Sequence, residues 1–527
     1  MLQEAKDRAK TKRERREAWV REFFGPDQQR RDQDDPSQKR WFSSVKNQAK
    51  IMQLWIRRNP KYQRAREVLW DRADLLDRPI TTLLWLAPDF RKLDSWLDGI
   101  ACTGLALSSL VFILGSANVP VLLTLWICQR SIMAVGGLWY GYGWEAQIAE
   151  LGFHALFLVP LWSLHPIPNM PTPGIVMWMI RWYLFRIMMG AGLIKIKSND
   201  KKWKLTHLSA MDYFYETQPV PNLLTRTMHF MPKAWHKFEV LSNHFVELVA
   251  PIFLILPGLP RRWLRAAGLT QMTFQAILIS TGNLSFLNWL TMVPAIFCFD
   301  DASLQGLFSA KRVTEASVAS LSYHPTVARS VISLLFGVLV MWLSIPVVKN
   351  LLSKRQQMNA SFDPLRLINS YGAFGTVGEV RKELIIKSAA DPKGEWKEYE
   401  FKVKPGPVER GPRWITPYHY RLDWQIWIAA LSPKIGPWVL RFLLKLLKGD
   451  KGVLNLLDHD PWEGEPDKPK HIKIEQYRYR FKKPERLWGK GPFWERELIK
   501  QVYPQQGSAT IDSLKTEIKQ VDPDRPV

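Results

Sequence analysis

The sequence predicts an α-helical polytopic membrane protein of about six to eight membrane segments, followed by a C-terminal α+β, β-rich soluble domain. Three observations carry this. Long apolar runs fill the stretch from Gly99 to Val348, charge gathers at both ends, and the texture turns to alternation beyond Phe362. Hydrophobic residues make up 46% of the 527. That figure alone fits a soluble protein, so the distribution decides.

The basic N-terminal region, 1–97, opens on charged residues with no apolar core, which excludes a cleavable signal peptide of the usual kind. Asp27–Arg40 has a disordered composition, and Trp41–Pro60 mixes apolar and basic residues as an amphipathic surface helix does. The membrane domain, 98–350, holds the runs Gly99–Val119, Val119–Tyr140, Ile148–Leu164, Ile175–Ile194, His244–Pro257, Leu264–Gly282, Leu284–Phe299 and Val331–Val348. The last carries no charge and is flanked by Arg329 and Lys349, as a spanning helix requires. The 25 tryptophans fit interfacial belts. The net charge of +24 is placed beside apolar spans, without a nucleic-acid motif, so anionic lipid is the expected partner and nucleic acid is not.

Between these runs lies a polar, aromatic segment, 195–242. It contains MDYFYETQPVPN (Met211–Asn222), with prolines at 219, 221 and 232 that rule out one long helix. The segment is expected either to cap the membrane body or to present Tyr213, Phe214, Tyr215 and Trp235 to a partner, with Glu216 and Gln218 beside them. The C-terminal domain, 351–484, is expected to hold a hairpin from Glu379–Ala389 and Glu395–Pro405 around ADPKG. A helix over Ile426–Gly449 broken at its prolines and a strand over Ile472–Pro484 follow. The remainder, 485–527, reads as a polar tail that frays from about Gln505.

Ionisable residues interrupt the apolar runs: Glu145, Glu150, His154, Arg181, Arg186, His244 and Glu247. A charge in hydrocarbon needs a partner, so Arg181 or Arg186 is expected to pair with Glu150 or Glu247. His244 and Glu247, three apart, share a helix face, but two groups do not make a metal site. Cys102, Cys128 and Cys298 all lie in apolar segments without a CxxC spacing, so neither a dithiol nor a cysteine zinc site is expected. No HExxH, GxSxG, P-loop or GxGxxG pattern occurs, and no catalytic residue, metal or cofactor is assigned. Of two glycosylation sequons, Asn283 abuts apolar runs and Asn359 is the better placed.

WYGYGWEAQIAELGF (Trp139–Phe153), FRIMMGAGLIKIK (Phe185–Lys197), MDYFYETQPVPN, FEVLSNHFVELVAPIFL (Phe238–Leu254), GNLSFLNWLTMVPAIFCFDD (Gly282–Asp301), NSYGAFGTV (Asn369–Val377) and TPYHYRLDW (Thr416–Trp424) together resemble the lipase maturation factor family. The last motif singles out Tyr418, His419, Tyr420, Arg421, Asp423 and Trp424 as interaction candidates. The resemblance implies a multi-pass protein of the endoplasmic reticulum membrane with a luminal C-terminal part. It implies a chaperone or assembly role without a reaction of its own. Its clients would be secreted homodimeric lipases such as lipoprotein lipase, and its other partners the folding machinery of the reticulum and membrane lipids. It also implies a membrane segment before Gly99 that residues 1–92 do not supply. Two other readings stay open: a membrane enzyme with a carboxylase-like helical body, and a scaffold that recruits redox enzymes to secretory clients.

Overall fold

The computed structural model describes residues 82–86, 93–166, 170–321, 323, 326–363, 365–483 and 492–521. The amphipathic helix expected at Trp41–Pro60 lies outside them. The chain forms two compact units. Of the described residues, one gathers those up to Gly141 with those of 155–170 and 361–368; the other holds those of 142–154, 171–360 and 369–521.

The first unit is built on α1 (Leu93–Leu114) and α2 (Val119–Val135). Asn118 caps α2, its side chain accepting from Val121 N at 3.1 Å, and Pro120 occupies the first turn, where its missing N–H costs nothing. Leu84, Ile100, Cys128 and Val135 form a small core. Elsewhere α1 is exposed, with Leu105, Phe112 and Ile113 facing outward.

The second unit begins with α3 (Gly143–Ala155) and α4 (Gly174–Lys197). A seven-residue helix, α5 (Met211–Thr217), follows. Next comes α6 (Lys233–His244), which runs through a π-helical turn, Phe245–Val249, to Ile255. The helices α7 (Arg261–Thr281), α8 (Leu287–Ala295), α9 (Ala310–Leu321) and α10 (Val327–Leu352) complete the helical body. Gly337 lets α10 approach α4, since a Cβ there would lie 2.6 Å from Ile175. At the end of α10, Lys197 Nζ donates to the carbonyls of Leu351 and Ser353, groups left without helical partners.

Among the described residues three helices are long and apolar enough to cross a membrane: Leu93–Leu114, Lys233–Ile255 and Val327–Leu352. Val119–Val135 and Leu287–Cys298 are apolar but shorter. Other expected runs fall short for visible reasons. Helix α3 has only 13 residues. Helix α4 carries Arg181, Arg186, Lys195 and Lys197, and α7 opens on Arg261, Arg262 and Arg265. The Lys233–Ile255 helix also starts inside the segment expected to be a polar loop. Trp235, Phe238, Leu241, Phe245, Val249 and Ile252 recur every three or four residues and are all exposed, an apolar stripe down one side.

The C-terminal region is a four-stranded antiparallel sheet in the order β2-β1-β5-β6. Strand β1 (Arg381–Ala389) pairs with β2 (Lys397–Glu398) as the expected hairpin, and along its length with β5 (His471–Phe481), from Arg381 opposite Tyr479 to Ala389 opposite His471. Short β3 (Glu400–Phe401) and β4 (Leu457–His459) pair separately. The broken helix appears as α11 (Arg421–Leu431) and α12 (Pro437–Leu447), with Gly449 at φ +66°, the left-handed geometry of a helix stop. The stretch read as a polar tail instead supplies the edge strand β6 (Trp494–Tyr503) and α13 (Ile511–Val521). Leu514 and Ile518 of α13 are fully buried, because one turn of spacing puts both on the same side of an otherwise polar helix.

Candidate functional site

The second unit is threaded by buried charges that neutralise one another. Arg186 on α4 pairs with Glu150 on α3, both at 0% exposure. Arg186 Nη1 also donates to the Asn369 carbonyl at 2.8 Å. The other Glu150 oxygen accepts from Asn369 N (2.9 Å), Asn369 Nδ2 (3.0 Å) and Tyr371 Oη (2.7 Å). Every lone pair this carboxylate needs satisfied has a donor, which is the condition for keeping a charge in a dry interior. Arg181, half-buried on the same helix, takes no part. Gly190 lets the backbone of α4 reach this site: a Cβ there would overlap the Tyr371 carbonyl oxygen.

Glu247 takes a different cation. It pairs with Lys195, and Asn243 bridges the two, accepting from Lys195 at 3.3 Å and donating to Glu247 at 2.8 Å. Glu247 sits in the π-helical turn, where one extra residue per turn re-aims the side chain. His244 does not join it; its Nε2 meets the Trp203 carbonyl at 2.8 Å. No group of three or more ligating side chains is gathered for a metal among the described residues.

The Met211–Asn222 segment is held from both sides. Phe214 and Tyr215 are buried, Tyr215 Oη donating to Glu239 at 2.7 Å, while Tyr213 is half-buried and Trp235 exposed. Gln218 Nε2 bonds Thr225 Oγ1 and the Thr281 carbonyl. Glu216 accepts from Phe481 N at 2.9 Å. From β1, Arg381 donates to the carbonyls of Glu216 (2.8 Å), Gln218 (2.5 Å) and Pro219 (3.0 Å). Its charge is balanced by Glu383 at 2.6 Å, which also meets Lys404 at 3.1 Å. Asp423 accepts from the backbone N–H groups of Val403 and Lys404 at 2.7 and 2.9 Å. Burial nonetheless raises the Asp423 and Glu216 carboxyls above their ordinary values, against the hydrogen bonds that lower them.

In TPYHYRLDW, His419 lies edge-on to Tyr142 and Trp144, each ring centroid 5.0 Å away, and Trp424 closes the cluster at 5.4 Å. Tyr142 and Trp144 stack at 4.5 Å. Arg421 pairs with Glu145 at 2.6 Å. Burial first, then the Arg421 charge, push the His419 imidazole down to about 3. Tyr418 and Tyr420 meet edge-on at 4.7 Å, and Tyr418 points outward. Asn283 is fully buried with its amide consumed by the fold, whereas Asn359 is exposed at φ +51°.

Arg381, Glu383 and Lys404 went unremarked in the sequence, and Asn283 was read there only as a poorly placed sequon. The alternation Arg381-x-Glu383 within an apolar strand was a visible signal, since it puts two opposite charges on one buried face.

A helical body with membrane-length apolar helices, carrying a C-terminal α+β domain, defines a membrane protein in which several buried charges pair with one another. The family model described as the lipase maturation factor transmembrane domain matches residues 61–306, and that described as the lipase maturation factor C-terminal domain matches 367–504. The chain is 45% identical over 443 residues to Lipase maturation factor 1 of Bos taurus, covering 80% of this chain and 78% of that one. It is 46% identical over 444 residues to Lipase maturation factor 1 of Mus musculus (80% and 76%), and 27% over 547 residues to Lipase maturation factor 2 of Mus musculus (82% and 76%). The chain belongs to the lipase maturation factor family. No solved structure matches it.

Proposed function

We propose that this protein is a multi-pass maturation factor of the endoplasmic reticulum membrane that promotes folding and activation of secreted homodimeric lipases such as lipoprotein lipase. The observation that carries the reading is continuous similarity, at 45% identity over 80% of the chain, to proteins named for lipase maturation. The role is that of a chaperone or assembly factor and not of an enzyme. Three buried ion pairs, Arg186–Glu150, Lys195–Glu247 and Arg381–Glu383, brace the fold as in a rigid scaffold, which favours this reading. In this account the membrane body, 98–350, crosses the bilayer about six to eight times, with the more charged helices packed inside. The C-terminal domain faces the lumen and Asn359 carries a glycan there. Tyr213, Glu216, His419, Tyr420 and Arg421 are the candidates of the clamped segment and the TPYHYRLDW motif that retain partial exposure toward a client.

Co-purification tests the interaction. The full chain, isolated from secretory cells in mild detergent, is expected to bring down lipoprotein lipase. Recovery of oxidoreductases without any lipase would overturn the reading and favour a redox scaffold.

A further inference from the structure

We propose that the loop Arg413–Tyr420 seats the C-terminal domain on the lipid surface, with Trp414 and Tyr418 at the boundary between head groups and acyl chains. The inference rests on reading α8 as a membrane helix. The loop is fastened to the turn that joins α7 to α8. Asn283, fully buried in that turn, donates from Nδ2 to the Arg413 carbonyl at 2.8 Å, and its Oδ1 accepts from Ile415 N at 3.1 Å and Thr416 N at 3.3 Å. Thr416 Oγ1 in turn donates to the Ser285 carbonyl at 3.0 Å and accepts from Trp289 Nε1 at 3.0 Å. A loop of the C-terminal domain is thereby fixed at the end of two helices of the membrane body.

The apolar rings on this fastening point outward. Trp289, Trp414 and Tyr418 are 45%, 46% and 62% exposed, although Trp289 and the loop backbone are hydrogen-bonded. On α8, Trp289 shares its face with Val293 and Ile296, four and seven residues on, and both are exposed. Among the described residues nothing covers that face, and its composition is that of a lipid-facing stripe. Lipid covering Val293 and Ile296 reaches Trp289 at the helix end, and from there the Thr416 bond leads directly to the loop. Tryptophan and tyrosine, with an apolar body and a polar edge, are the residues that settle at this depth. Arg413 beside them is held by Asp458 at 2.9 and 2.8 Å, which fixes the start of the loop. The occupant is therefore the bilayer interface rather than a soluble protein.

Photocrosslinking in cells tests this on the full chain. p-Benzoylphenylalanine replaces Trp414 or Tyr418, both exposed rings whose loss leaves the core intact, and Lys500 on the exposed edge strand serves as the control. Lipid adducts at 414 and 418, with none at 500, are expected by intact-protein mass spectrometry. Protein adducts at 414 and 418, or no lipid adduct at either, would overturn the proposal. Lipase activation by the same cells is read in parallel, so failure of the seating and failure of the maturation role appear as separate results.

Discussion

Arg381 Nη2 donates to the carbonyl oxygen of Pro219 at 3.0 Å, joining the first strand of the C-terminal sheet to a segment 162 residues earlier in the chain. With its bonds to the Glu216 and Gln218 carbonyls, this one guanidinium fixes the polar, proline-punctuated stretch between α4 and α6 to the sheet. Replacing Arg381 with Met strands Glu383 with Lys404 alone and frees three buried carbonyls. The expected loss is about 3–5 kcal/mol. It is read as a lower melting temperature in detergent and faster proteolysis within Met211–Asn222. Adding Glu383→Gln does not recover the loss, because the buried Lys404, 3.1 Å from Glu383, then loses its own counter-charge.

Arg186→Met acts in the membrane body by the same physics. Glu150 keeps its three neutral donors but loses its counter-charge, and steady-state protein falls by the equivalent of about 3–5 kcal/mol. The double variant with Glu150→Gln is expected to lie above the single one in both amount and thermal stability.

Gly190→Ala and Gly104→Ala separate close approach from helix propensity. At 190 the new methyl meets the Tyr371 backbone, which cannot swing aside, and the protein is destabilised. At 104 nothing lies within 4 Å, so the change stays within about 1 kcal/mol of neutral. Thermal unfolding of the two purified variants checks the contrast.

Tyr215→Ala and Trp235→Ala likewise part company. Tyr215 is buried and bonded to Glu239, so its loss lowers stability by about 3–5 kcal/mol, as for large aromatic truncations in cores. Trp235 lies on the exposed stripe, and its loss leaves folding unchanged.

His419 sets an acid limit. The unfolded chain takes up its proton near the ordinary value of 6.5, the folded chain only near 3. Between these values the unfolded state holds more protons, so stability falls as pH drops from about 6.5 toward about 3. Melting temperatures measured from pH 7.5 to 5 should decline for the native protein and decline less for His419→Phe.

Much of this architecture was legible in local pattern. The hairpin around ADPKG, the proline break between α11 and α12 and the Gly449 stop all depend on neighbours in sequence, which the chain displays directly. The pairing of Arg186 with Glu150 was legible as a need for partners, since a charge in an apolar run must find one. Three features were hidden for physical reasons. The helix from Lys233 was masked by His236, Asn243 and His244, polar groups on its inner side that find partners only in the folded body. Helix α13 hides two buried side chains, Leu514 and Ile518, among polar residues. The Arg381 clamp joins groups too far apart in sequence for any periodicity to show, and charged residues in a strand read by default as solvent-facing.

The central claim is tested most directly by rescue. This chain is expressed with lipoprotein lipase in cells lacking their own maturation factor, and lipase activity is measured per mass of secreted lipase. The account predicts restored specific activity, reduced in the Arg381→Met variant in proportion to its loss of folded protein. Lipase that stays inactive while the native chain is present, folded and located in the endoplasmic reticulum membrane would contradict it.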